Sequence, residues 1–166
     1  MRNVLFLCTH NSARSILTEA LLNHLSRQAP TRQWQAWSAG SSPRPGQQPH
    51  PLALEVLQKA GISTEGLRSK NWDEFAGPGA PHMDLIVTVC DGAAGEVCPI
   101  WPGHPASAHW GYADPSAGDA PDAVQREAFR QTLHAIQRRL ALLLNLPPEK
   151  LERSLLQTSA RSLSSH

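Results

Sequence analysis

The sequence has little that would carry it to a membrane, a nucleic acid or an oxidising compartment. No run approaches the roughly 18 consecutive apolar residues of a membrane-spanning helix. MRNVLFL, ahead of the first cysteine, is too short for the apolar core of a secretory signal. The chain holds 15 Lys+Arg against 14 Asp+Glu, a formal net charge of +1. No block of like charge breaks that balance, so no nucleic-acid or lipid-surface partner is expected. The expected location is cytoplasmic. Only three cysteines occur, Cys8, Cys90 and Cys98, and where thiols are kept reduced they do not form a disulfide framework. They are either inert core residues or chemically active ones. There is no internal repeat, and 166 residues suffice for one hydrophobic core.

What is there reads as alternating strands and helices. NVLFL (3–7) is a short continuous apolar run, the mark of a strand buried on both faces. Leu17, Leu21 and Leu25, four apart, predict a helix closed by Ala29 and Pro30. WQAWSAG (34–40) alternates like a strand, and SSPRPGQQPHP (41–51) is a loop. LALEVLQKAG predicts a helix with a glycine stop at Gly61. MDLIVTVC (83–90) and SAHW (107–110) predict two further strands. From Asp122 to Leu144, Phe129, Leu133, Ile136, Leu140 and Leu143 form one apolar stripe of a long helix. Strands separated by helices imply an α/β fold with a parallel sheet. The expected domain spans residues 1–146, followed by a C-terminal extension over 147–166, a short helix at LERSLLQ and a serine-rich end expected to fray.

The junction between the first strand and the first helix concentrates the chemistry. Cys8 is followed by Thr9, His10, Asn11, Ser12 and Ala13, then Arg14 and Ser15. Five residues can wrap a loop whose N–H groups converge on a tetrahedral oxyanion at a helix N-terminus. That field is expected to depress the Cys8 pKa and supply a thiolate nucleophile. Arg14 can bind two oxyanion oxygens and stays charged. The plainer alternative is a buried cysteine ending a strand and a surface arginine.

VLFLCTHNSARS resembles the N-terminal signature of the low-molecular-weight protein tyrosine phosphatase superfamily. The resemblance implies a three-layer sandwich with a four-stranded parallel sheet flanked by helices. It also implies that Cys8 is the nucleophile, that Arg14 grips the oxyanion, that Ser15 hydrogen-bonds the thiolate and that Asn11 braces the loop. Two loop positions depart from the pattern: His10 stands where glycine is usual, and Ala13 where a second cysteine is common. His10 is therefore expected to need the left-handed conformation. The superfamily places its general acid in a late Asp-Pro pair, which makes Asp114, before Pro115, the candidate.

The branch of the superfamily follows from smaller features. Ser116 stands where tyrosine phosphatases place a tyrosine, which argues against an aryl phosphate substrate. HWG before Asp-Pro, SAG at 38–40 and VTVCDGAAGEVCP at 87–99 are similar to the arsenate reductase branch. That likeness implies a relay: Cys8 attacks arsenate, Cys90 attacks Cys8 to release arsenite, and Cys98 attacks Cys90. It implies no cofactor, and as partners arsenate, with phosphate or sulfate able to occupy the loop, and thioredoxin or glutaredoxin with glutathione as reductant. The alternative is a low-molecular-weight protein tyrosine phosphatase or a small phosphomonoesterase that uses Cys8, Arg14 and Asp114 alone. A metal site of Cys90 and Cys98 with His82, His104 or His109 fits poorly, because zinc sites pair their cysteines more tightly. Asn11 and Glu19 match a monovalent-cation site of some relatives, and Lys70, where another acid is expected, speaks against it.

Overall fold

A computed structural model describes residues 1–29, 34–90 and 105–165. Its strands are β1 (Arg2–Cys8), β2 (Trp34–Gly40), β3 (Leu85–Thr88) and β4 (Ala106–His109). Its helices are α1 (Arg14–Gln28), α2 (Pro51–Lys59), α3 (Asp122–Leu144) and α4 (Arg153–Ser162), with 3-10 turns at Trp72–Phe75, Pro148–Leu151 and Leu163–Ser165. None of these helices is long and apolar enough to cross a membrane.

The strands form one sheet in the order β2-β1-β3-β4, every pair parallel. Val4, Leu5, Phe6 and Leu7 are fully buried, as an unbroken apolar run in an inner strand must be when both faces are covered. The register decides which element covers which face. Leu5 lies beside Trp37, and the Trp37 ring packs on Phe75 of the first 3-10 turn at 5.9 Å between centroids. Phe6 lies beside Ser38 on the opposite face, where Ser38 is hydrogen-bonded to Glu19 of α1. α1, α2 and α3 pack against one another. The five stripe residues of α3 are all buried. This is the α/β three-layer sandwich that the resemblance implied.

Each sheet edge is finished by side chains that imitate a missing strand. At the β2 edge, Asn23 accepts from the Ala36 N–H at 2.8 Å and donates to its carbonyl at 3.1 Å. At the β4 edge, Gln157 of α4 accepts from the Ser107 N–H at 3.2 Å, and Arg161 donates to the Ser107 carbonyl at 3.0 Å. Unpaired edge groups invite pairing with another chain, and these contacts remove the invitation. The serine-rich end, expected to fray, carries the turn at Leu163–Ser165, and Leu163 is buried.

The strands that the sequence placed at 83–90 and 107–110 are shorter or shifted by a residue, though their ladders run on. The Val89 N–H donates to the Leu7 carbonyl and the Trp110 N–H to the Thr88 carbonyl, each at 2.8 Å. Because all four strands run the same way, Cys8, Gly40, Thr88 and His109 come out at one edge of the sheet. Ligands of open parallel sheets bind at this edge.

Trp110, fully buried, packs on Phe6 and donates from its indole to the Ala160 carbonyl at 2.9 Å. Trp110→Phe removes that bond and part of the ring volume, so it should cost roughly 1–3 kcal/mol. A lowered urea midpoint at unchanged slope is the expected observation.

Candidate active site

The loop between β1 and α1 turns on Asn11, whose φ is positive (56°). The left-handed residue was expected to be His10; it is Asn11 instead, because a short amide side chain tolerates that conformation and can repay it with local bonds. Asn11 is fully buried. Its amide nitrogen donates to Ser15 Oγ at 2.8 Å and to Ser38 Oγ at 3.0 Å. Its side-chain oxygen accepts from the Lys70 N–H at 3.0 Å, and its carbonyl from Ser69 Oγ at 2.6 Å. The bracing role implied for Asn11 thus has a full set of partners.

Backbone contacts hold the loop from outside. The Ser41 and Ser42 N–H groups donate to the carbonyls of Cys8 and Thr9, and the His50 N–H to that of Ser12. Gly40 lies so close that a Cβ there would sit 2.7 Å from the Thr9 carbonyl oxygen, which explains why the strand ends in glycine. The α1 N-terminus has no side-chain cap and no acid in its first turn. Its free N–H groups and positive dipole end therefore open toward the loop without a resident carboxylate.

A buried charge pair sits under the loop. Ser38 Oγ donates to Glu19, and Lys70 Nζ lies 4.0 Å from Glu19 Oε1 while donating to the carbonyls of Ser38 and Arg68, both at 2.8 Å. Burial pushes the Glu19 carboxyl up, opposed by Lys70 and Ser38. Burial likewise pushes Lys70 down, opposed by Glu19. Asn11 and Glu19 do not fit a monovalent cation, since the Asn11 Oδ1 already accepts from the Lys70 N–H and the Lys70 ammonium faces Glu19. In the sequence Lys70 speaks only against that site, and nothing marks Ser38, Ser69 or His50 as supports of the loop. Serines that brace a loop carry no signal of their own.

Cys8 and Cys90 meet at the floor of the site, both buried. Their thiols are close enough for each to act on the other's ionisation, and the Thr9 N–H donates to Cys90 Sγ at 3.2 Å. Thr9 Oγ1 lies 3.5 Å from the same sulfur. The Cys8 pKa, expected to fall, is pushed far up: the neighbouring Cys90 thiol is the largest cause, followed by burial and by charge repulsion from Cys90. Arg14 and the Thr9 N–H pull it down, as the loop argument required, and are outweighed. A second sulfur beside the first makes the second negative charge expensive.

Arg14 opens α1. Its Nη1 donates to the Tyr112 carbonyl at 2.9 Å, its Nη2 lies 3.9 Å from Asp114 Oδ2, and its Nε is buried with no hydrogen-bond partner. An unspent buried donor beside the loop suits an oxyanion oxygen. Asp114 Oδ1 accepts from both the N–H (2.9 Å) and the hydroxyl (2.7 Å) of Ser116. Burial raises the Asp114 pKa, but the two Ser116 bonds, with Arg14 and His50, overcome it and hold the carboxyl below its ordinary value.

The structure thus brings together Cys8, Asn11, Arg14, Ser15, Cys90 and Asp114, which are scattered over more than a hundred positions of sequence. Ser15 Oγ accepts from the Asn11 amide. Cys98 and His104 lie outside the described residues. His109 Nδ1 is bonded to Thr88 Oγ1 at 2.7 Å and His82 lies 4.0 Å from Asp84; among the described residues no three His, Cys, Asp or Glu cluster as metal ligands would.

Cys90→Ala removes the largest cause of the raised Cys8 pKa, so the pKa should fall and Cys8 should alkylate faster at neutral pH, on the order of tenfold or more. Site-resolved alkylation with iodoacetamide, read by mass spectrometry across pH, checks it.

Comparison with known proteins agrees with this geometry. The family model described as low molecular weight phosphotyrosine protein phosphatase matches residues 3–157. An arsenate reductase of Bacillus subtilis (strain 168) is 31% identical over 137 residues, 82% of this chain and 91% of the relative. The crystal structure of an arsenate reductase from Archaeoglobus fulgidus superposes with a TM-score of 0.62 at 27% identity, covering 86% of this chain and 99% of that one. A thioredoxin-dependent arsenate reductase of Corynebacterium glutamicum superposes at 0.54 and 25% identity, over 86% of this chain and 63% of that one.

Proposed function

The chain belongs to the low-molecular-weight phosphotyrosine protein phosphatase family, and from that premise we propose that it is an arsenate reductase working through a Cys8, Cys90, Cys98 thiol relay. The observation that carries the reading is the contact between Cys8 and Cys90 beneath a loop that presents Arg14. Hydrolysis of an ester on such a loop needs one thiol; a second thiol beside the first is the arrangement for forming a disulfide. The relatives at about 30% identity that bear the name arsenate reductase support the same reading.

In the proposed sequence the Cys8 thiolate attacks arsenate held by Arg14 and the backbone of residues 9–14. Asp114 gives its proton to the departing hydroxide, which leaves as water, and Ser15 hydrogen-bonds the Cys8 sulfur. The Cys90 thiolate then attacks Cys8 Sγ: the S–S bond forms, the S–As bond breaks, and its electron pair stays on arsenic, which leaves as arsenite. Cys98 attacks Cys90 Sγ, forms the second disulfide and returns Cys8 as thiolate. An external dithiol reduces that disulfide; thioredoxin is the donor proposed, on the likeness to the thioredoxin-dependent neighbour. Phosphate has nearly the shape of arsenate, so slow hydrolysis of phosphate esters is the side activity this loop implies.

Two measurements test the reading. With thioredoxin and its reductase supplied, Cys90→Ser should abolish arsenite formation, whereas Cys98→Ser should stop after a single turnover with Cys8 and Cys90 joined; both should lose roughly hundredfold or more in steady state. Unchanged turnover in both variants, or far better turnover of p-nitrophenyl phosphate than of arsenate, would give the site to a phosphatase.

The pH profile offers a second check. Asp114 must be protonated to act, so activity should fall as pH rises through its depressed pKa. Ser116→Ala removes one of the bonds that favour the carboxylate, so the Asp114 pKa rises and that limb of the kcat profile should move to higher pH.

A further inference from the structure

Arg14 has to do more than reach the loop. A guanidinium binds two oxyanion oxygens through one edge, and the edge made by Nε and Nη2 is turned to a target only when the plane is set. In this chain the opposite nitrogen, Nη1, is the one tied down, to the Tyr112 carbonyl at 2.9 Å. Nε is left buried and unpartnered, and Nη2 lies on the Asp114 side at 3.9 Å. The position of the Tyr112 carbonyl therefore sets the plane of Arg14.

That carbonyl belongs to a segment without secondary structure, Gly111 to Asp114, which would be free to shift if nothing held it. Besides the packing of Tyr112 on the core, what holds it is Arg139, from the far half of α3. Its guanidinium lies over the Tyr112 ring, 4.6 Å from the centroid. Its Nη1 donates to the neighbouring Gly111 carbonyl at 3.3 Å, and its Nη2 to the Ser164 carbonyl at 3.0 Å. One side chain thus ties the acid-bearing segment to α3 and to the end of the chain. Cation and ring attract through the ring's quadrupole, more strongly where water is excluded.

We propose that Arg139 is a positioning residue for the oxyanion site: by clamping Tyr112 it places the carbonyl that orients Arg14. Arg139 touches neither Cys8 nor the loop, and nothing in the motif of residues 8–15 points to it. The inference rests on the reading of the loop as an oxyanion site, not on the redox relay, so its test uses binding rather than turnover.

The probe is inorganic phosphate, titrated calorimetrically into the full chain at a temperature well below unfolding. Wild type should bind, and Arg14→Lys should lose binding; if wild type does not bind, or Arg14→Lys binds equally, the loop reading falls and takes this inference with it. Given that control, Arg139→Met, which keeps an apolar stem on the ring but no charge, should weaken phosphate binding on the order of tenfold, since a misplaced binding group is costly. Arg139→Lys should recover most of the loss. Tyr112→Leu should weaken binding to a similar extent, and the double variant should be no worse than either single one, because both act through the same contact. Binding by Arg139→Met within twofold of wild type, or losses that multiply in the double variant, overturns the proposal. Should Arg139→Met not fold, Tyr112→Leu decides: wild-type affinity there overturns it as well.

Discussion

The site depends on one buried asparagine. Asn11 holds the chain in a left-handed turn that a residue with a bulkier side chain would resist. It keeps that conformation because its side-chain amide and its carbonyl are met: two hydroxyls, a backbone N–H and a third hydroxyl converge on it from α1, β2 and the segment before the first 3-10 turn. A buried amide with every partner in place is rigid, since moving it would strand several groups at once. The loop between Cys8 and Arg14 takes its shape from that turn, and Gly40 lets the neighbouring strand close against it.

The electrostatics around the loop pull in two directions. Positive groups, Arg14 and the uncapped helix end, favour anions, while Cys90 beside Cys8 and the burial of both work against a charge on Cys8. A site made only for nucleophilic attack would leave out the second sulfur. A site in which one thiol must later attack another has to accept the cost of keeping them together. Under the loop, Lys70 faces Glu19 and donates to two backbone carbonyls, while Glu19 accepts from Ser38, so the positive charge beside Glu19 belongs to the scaffold.

Farther out, the same economy of polar groups finishes the sheet. Asn23 closes one edge, Gln157 and Arg161 the other, and Trp110 joins the sheet to α4 through its indole. The C-terminal helix therefore covers the strand that leads to Asp114. Arg139 reaches from α3 to both the 3-10 turn that follows that helix and the segment that carries Asp114.

Much of this is legible in the linear chain. The apolar run of residues 3–7, the alternation at 34–40 and the stripe along α3 mark buried elements through their periods alone, because side-chain direction follows from strand and helix geometry. Cys8, Arg14 and Asp114 stand out through their motifs. The left-handed residue was misplaced onto His10, since the departure from glycine was visible and the bonds that make Asn11 tolerable were not. Ser38, Ser69, Lys70, Tyr112 and Arg139 were silent as site residues for the same reason. Each acts through a contact made across 27 to 98 positions of sequence. Local patterns report which face of an element is apolar and which residue is reactive. Which side chains meet across the sheet edge, and with them the pairing of Cys8 with Cys90 and the orientation of Arg14, is decided only when the parallel strands deliver their ends to one place.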